Sequence, residues 1–161
     1  MRVAKKQSFT LDFTPDLDFT VIAIFSSLRD FKLCFQLNNL LGLSMVRQPD
    51  LELILDKKGS TGMFTRFFFL SEDEEEFYLI ANRGSNGHFI PEVKPADYFL
   101  VIKNRGRYTS ESVVLRQIQS IRNVSSAMPL KTDELTSIEN FLLLEPVVEK
   151  EKTKQSIPPI L

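Results

Sequence analysis

Between positions 82 and 98 lie the residues with the most chemical potential in the chain: Arg83, His88, Glu92, Asp97 and Tyr98. A histidine beside two carboxylates is the raw material of a proton shuttle or a metal site. His88 is the only histidine, however, and one imidazole with two carboxylates lacks the dense ligand spacing of a strong site. The segment "NRGSNGH", residues 82–88, holds two glycines, but neither opens a helix after a parallel strand, so a phosphate cradle is poorly specified and a plain connection is the simpler reading. No phosphate-loop, dinucleotide, zinc-protease or nucleophile-elbow motif occurs.

The stretch "HFIPEVKPADYFLVI", residues 88–102, concentrates the question. Pro91 and Pro95 stiffen the approach to a strand and remove two backbone donors. In an extended segment Asp97 and Tyr98 point to opposite faces, the tyrosine towards the sheet and core, the carboxylate towards a loop or helix cap. Two readings compete. In the first, Glu92 and Asp97 accept backbone N–H bonds locally and make a rigid turn. In the second, they form a preorganised contact for a ligand or partner. The structural reading weighs more.

Ile90, Pro91 and Glu92, followed by Ala96, Asp97 and Tyr98, resemble the signature of the bacterial IPExxxVDY family, with Ala96 in place of the usual valine. The similarity runs from "DFTVIAIFSS" through "NNLLGLSMVRQ" and the "NRG" loop to "DYFLVIKN", roughly residues 10–142, and leaves out the charged C-terminus. The resemblance implies a group of uncharacterised Bacteroidetes proteins. It implies no activity, cofactor or catalytic residue.

Other reactive residues are sparse. Cys34 is a lone cysteine, which excludes an intrachain disulfide and a cysteine metal cluster, and it falls on a helical apolar stripe, where a packed thiol is the simpler reading. The acidic run 72–76 reads as a solvated turn, since consecutive carboxylates rarely give a spaced cation cage. Arg83, Lys103, Arg105 and Arg107 are the basic residues from which a nucleic-acid patch could be assembled. The balance of 20 basic and 21 acidic side chains gives no global footprint for one.

The elements that must position these residues follow from periodicity. "DFTVIAIFSS" is a strand rich in β-branched and aromatic residues, and "FTLDF" before it alternates Phe9, Leu11 and Phe13 as a short edge strand. "SLRDFKLCFQLNNLLG" is the best helix, with Ser27 and Asp30 at capping-box spacing and Gly42 at its end. Its expected core stripe is Leu28, Phe31, Cys34 or Phe35, then Leu37 or Leu41. "LELIL", "MFTRFFFL" and "FYLIAN" are joined by short polar connections and read as hairpins. "ADYFLVIKN" is a central strand, "SESVVLRQIQSIRN" a second helix capped by Ser110, and "VSSAMPL" a final strand. Residues 132–144 read as a short helix running into an extended segment.

The expected architecture is α+β: a predominantly antiparallel sheet of about five strands with helices on one face, in two layers. Residues 1–144 form the single domain, and 145–161 a flexible, charged, proline-containing tail. The 14 phenylalanines are read as core. With 43% hydrophobic and 25% charged residues the chain reads as soluble. No run approaches the roughly 20 apolar residues of a membrane span and no signal peptide is evident, so a cytoplasmic location is expected. The functional expectation is a non-enzymatic module that binds a protein partner or self-associates, without metal or cofactor. Its candidate contacts are Arg83, His88, Ile90, Pro91, Glu92, Asp97 and Tyr98. Two alternatives stand beside it: a small enzyme or ligand-binding protein using His88, Glu92 and Asp97, and an RNA-binding accessory protein.

Overall fold

A computed structural model describes residues 19–104 and 110–146. They form an α+β fold around one sheet. The strands are β1 (Phe19–Ser26), β2 (Val46–Ile54), β3 (Thr61–Leu70), β4 (Glu76–Ala81), β5 (Tyr98–Lys103) and β6 (Val124–Pro129). The helices are α1 (Asp30–Leu41), α2 (Glu111–Gln119) and α3 (Glu139–Leu142). The six strands lie in the order β2-β3-β4-β5-β1-β6, every neighbouring pair antiparallel. The sheet thus has one strand more than the expected five. "FTLDF" and residues 147–161 of the expected tail lie outside the described residues.

β1 and β5 are interior neighbours in this order. Their register pairs Phe19 with Lys103 and Ile24 with Tyr98, and every side chain from Tyr98 to Ile102 is buried. An uninterrupted apolar run is what a strand covered on both faces requires. On one face Ile22, Ile24, Tyr98, Leu100 and Ile102 pack against Leu33, Cys34 and Leu37 of α1 and Val114 and Ile118 of α2. The two longer helices share this face, as the two-layer expectation has it.

The opposite face, for which the expected architecture has no helix layer, is also covered. There Val21, Ala23, Phe64, Tyr78, Phe99 and Val101 pack against Phe89, Ile90 and Ala96, from the connection between β4 and β5, and against Phe141 and Leu144 near the C-terminus. Rings interlock edge-on: Phe141 lies 5.5 Å from both Phe89 and Phe99, centroid to centroid. Residues 132–144 start with a helical turn, the 3-10 segment Thr132–Glu134, but the short helix α3 stands where an extended segment was expected. A helical turn here puts Phe141 and Leu144, three residues apart, on the same buried side.

Helix ends follow local chemistry with one exception. Gly42 takes the left-handed conformation (φ 70°) and its N–H reaches Asn38 O, while Ser110 Oγ accepts from Val113 N, both as expected. Ser27 does not cap α1. Arg29 stands at the N-cap with no side-chain bond, and Ser26 Oγ accepts from Leu28 N one turn earlier. Competition from that earlier turn removes the capping box. β2 starts at Val46, earlier than the expected Leu51, and contains Pro49 at a shift of register between Gln48 and Leu51. An edge strand with a bulge is where a proline costs no ladder bond. Among the described residues no helix is long and apolar enough to cross a membrane.

Candidate functional site

The connection from β4 to β5 is irregular and buried in part, so its backbone polar groups need partners that no helix or ladder supplies. Asn82 supplies most of them. It is fully buried at the end of β4. Its N–H donates to Asp97 O at 2.9 Å and its carbonyl accepts from Phe89 N at 2.7 Å. Its side-chain Nδ2 donates to Val93 O at 2.9 Å and Ala96 O at 3.0 Å, and its Oδ1 accepts from Ile90 N at 2.8 Å. Both amide protons and the amide oxygen are therefore used. The sequence reading treated Asn82 only as the start of a glycine-containing loop. The available signal was a lone amide side chain ending an apolar strand.

Around this hub the remaining residues fall into place. Pro91 begins a single 3-10 turn, Pro91–Val93, after Ile90 in extended conformation, as a residue preceding proline prefers. Ile90 and Ala96 are fully buried and Pro91 is exposed. Residues 83–88 continue beside the first half of β3 where β4 has ended. Met63 N donates to Ser85 Oγ at 3.1 Å, and Asn86 Nδ2 donates to Thr61 O at 2.7 Å. Gly84 is required by close approach: a Cβ there would lie 2.4 Å from Phe64 Cε1 and 2.8 Å from the Met63 carbonyl. The "NRGSNGH" segment is a covering for β3.

Asp97 and Tyr98 together hold the turn between β1 and α1. Asp97 Oδ2 accepts from Ser26 N at 2.9 Å, and Asp97 N donates to Ile24 O at 2.9 Å. Tyr98 Oη donates to Leu28 O at 2.6 Å. Burial, then the nearby Asp30 and Asp97 carboxylates, push the Tyr98 phenol up to about 12. Arg83 adds an ion pair to Asp97 Oδ1 at 3.1 Å, on the exposed side, where such pairs contribute little. The carboxylate does accept a backbone N–H, but from a residue 71 positions away, so the bond joins distant segments.

Glu92 works elsewhere. Its Oε2 accepts from Thr136 Oγ1 at 2.5 Å and from Ser137 N at 2.7 Å. Partial burial raises its carboxyl; the bonds from Thr136, its own backbone and Ser137 outweigh that and hold it at about 2, below the ordinary 4.5. Asn140 Nδ2 donates to Phe89 O at 2.8 Å, and Lys103 Nζ donates to Leu144 O at 2.5 Å. These three contacts fasten residues 136–144 across the sheet face.

The structure therefore brings Arg83, Asp97 and Tyr98 together and separates them from Glu92 in bonding. His88 is half-buried and bridges to Arg83 in a short ladder. Among the described residues no hydrogen bond or ion pair joins His88 to Glu92 or Asp97, and no group of three His, Cys, Asp or Glu side chains is placed to hold a metal ion. The basic residues do not assemble either. Lys103 lies 5.7 Å from the Phe19 ring and 5.3 Å from the Tyr78 ring, and burial lowers its pKa. Arg83 is paired to Asp97, and Arg105 and Arg107 lie outside the described residues. Cys34 is buried on α1, where burial raises its thiol to about 11 despite a bond from Asn38, as suits a packed thiol.

The least expected surface is the outer side of α1. Phe31 is 53% and Phe35 62% exposed, one turn apart. With Leu28, Lys32 and Gln36 they line an open concavity of about 440 Å³. The sheet side of α1 takes Leu33, Cys34 and Leu37, with Leu28 and Leu41 packed against the same core, while Phe31 and Phe35 lie on the outer side. The expected stripe mixed the two sides. No protein-family model matches the chain, and no curated protein matches it at a significant level.

Proposed function

We infer that this chain is a non-enzymatic, cytoplasmic module that binds protein, either another chain or a second copy, through the outer face of α1. The observation that carries this reading is the Phe31 and Phe35 pair, two rings left in water by a fold that buries Phe64, Phe67, Phe77, Phe89, Phe99 and Phe141. Covering both would remove roughly 200 Å² of ring surface, about 5 kcal/mol before the cost of association. The junction at residues 82–98 supports the reading from the other side. Glu92, Asp97 and Tyr98 are occupied in holding distant segments together, which makes the IPE-ADY pattern a device of the fold. Ile90, Pro91 and Glu92 with Ala96, Asp97 and Tyr98 support membership of the IPExxxVDY family.

The test is affinity capture with the full chain from native cytosol, comparing wild type with a Phe31→Ser/Phe35→Ser double variant. Loss of a bound protein from the variant alone is expected. Identical protein profiles would overturn the reading, and salt-sensitive RNA on both would favour the nucleic-acid alternative.

A further inference from the structure

We propose that the outer face of α1 is the interface of a two-fold dimer, in which α1 of one copy packs antiparallel to α1 of the other. The proposal rests on the protein-binding reading above and identifies the partner as a second copy of this chain.

Shape is the first argument. The open concavity bounded by Leu28, just ahead of α1, and by Phe31, Lys32, Phe35 and Gln36 of the helix is a hollow into which a facing helix can set a side-chain knob. The same helix presents the knobs, Phe31 and Phe35. A surface that carries both the hole and its filling is self-complementary, and a two-fold axis lets each copy give and receive.

Charge sets the direction. Arg29 occupies the N-cap of α1 with no side-chain bond, Lys32 lies in the first turn, and the last turn holds no basic residue. Two cations thus sit at the helix end that repels them, while the carbonyl end lacks a cation. Asp30, in the same turn, offsets them in part, with Oδ1 accepting from Phe31 N. In an antiparallel pair, Arg29 of each copy lies beside the C-terminal turn of the other, and Lys32 beside the neutral Gln36. A parallel pair would set cation against cation.

The sheet edges are poor competitors for self-association. β2 is interrupted by Pro49 and a register shift, and β6 ends in Pro129 with Ala127 O already accepting from Gln119 Nε2. Prolines, bulges and occupied acceptors are what discourage edge-to-edge pairing. A single helix pair is smaller than a standard interface, so the dimer should be weak and dependent on concentration.

Sedimentation of the full chain from micromolar to near-millimolar concentration tests this. The expected result is a mass rising from one chain towards two. Phe35→Glu should weaken dimerisation at least about tenfold, the scale of a central aromatic contact. It should do so without moving the urea midpoint, since the ring is exposed; Phe31→Ser supplies a second variant with the same expectation. Orientation is read by mixing Lys32→Cys and Gln36→Cys chains with oxidised glutathione as electron acceptor. Antiparallel helices favour the mixed disulfide, whereas a dominant 32–32 product overturns the arrangement. A chain that stays monomeric throughout, or variants that dimerise like wild type, overturn the proposal. If the chain is monomeric but the double variant loses a different captured protein, only the dimer fails; if capture is also unchanged, the protein-binding reading fails with it.

Discussion

The two faces of the sheet are covered by opposite strategies. On one, α1 and α2 satisfy their own backbone hydrogen bonds, so Leu33, Cys34, Leu37, Val114 and Ile118 need only be apolar and correctly spaced. On the other, the cover is irregular chain. Its backbone groups have no helix or ladder partners, and specific polar side chains receive them: Asn82 for Ile90, Val93 and Ala96 in the interior, Asn140 for Phe89 and Lys103 for Leu144 where the chain is partly buried, and Glu92 for Ser137 at the exposed rim. A helical cover tolerates many sequences of the right pattern. An irregular cover depends on individual residues, because each unsatisfied buried group costs its full desolvation.

The sharpest way to break this comparison is Asn82→Ala. It strands one buried N–H and two carbonyls, and we expect a loss of about 3–5 kcal/mol, as much as truncating a core leucine such as Leu37 on the helical face. Urea unfolding measures both, and a loss below about 1 kcal/mol for Asn82→Ala would sink the distinction. Asp97→Asn comes next, at about 1–3 kcal/mol, since it weakens the bond that joins β5 to Ser26. Faster hydrogen exchange at the Ser26 amide would locate the damage. Tyr98→Phe leaves the ring packed and removes only the donor to Leu28 O, so roughly 1 kcal/mol is expected from the same unfolding experiment.

Glu92→Gln sharpens the comparison through pH. The folded carboxyl, at about 2, lies below its ordinary 4.5, so the folded state holds the proton less tightly than the unfolded chain. Its contribution is complete above about pH 4.5 and disappears as the pH falls towards 2. Because Glu92 is exposed, the expected loss at neutral pH is no more than about 1 kcal/mol. Wild type and variant should converge across that acid window; a constant difference down to pH 2 would assign the effect to packing. Phe35→Ser is the smallest of these, within about 0.5 kcal/mol, because its ring contributes little to the core.

Residues with strong periodicity are legible in the sequence alone. "DFTVIAIFSS", "FYLIAN" and "YFLVI" carry the β-branched and aromatic content that only a buried strand can use, and β1, β4 and β5 lie there. Gly42 and Ser110 were legible because a left-handed C-cap and a side-chain N-cap are decided within one turn of chain. The candidate list for residues 83–98 does not include Asn82, which holds most of that connection's backbone. Asn82 looks ordinary in sequence because its partners, at 90, 93 and 96, become neighbours only when the connection folds over the sheet.

Local and periodic features, then, were determined by the sequence itself, since each element's backbone bonds and side-chain spacing are set within a few residues. Long-range choices belonged to the tertiary structure. Which apolar side of α1 meets the sheet, which carboxylate meets Ser26 and which meets Ser137, and what covers the second face all depend on segments dozens of residues apart competing for one surface. Two apolar sides are nearly equivalent on an isolated helix. Only the closed fold makes them different, leaving Phe31 and Phe35 outside.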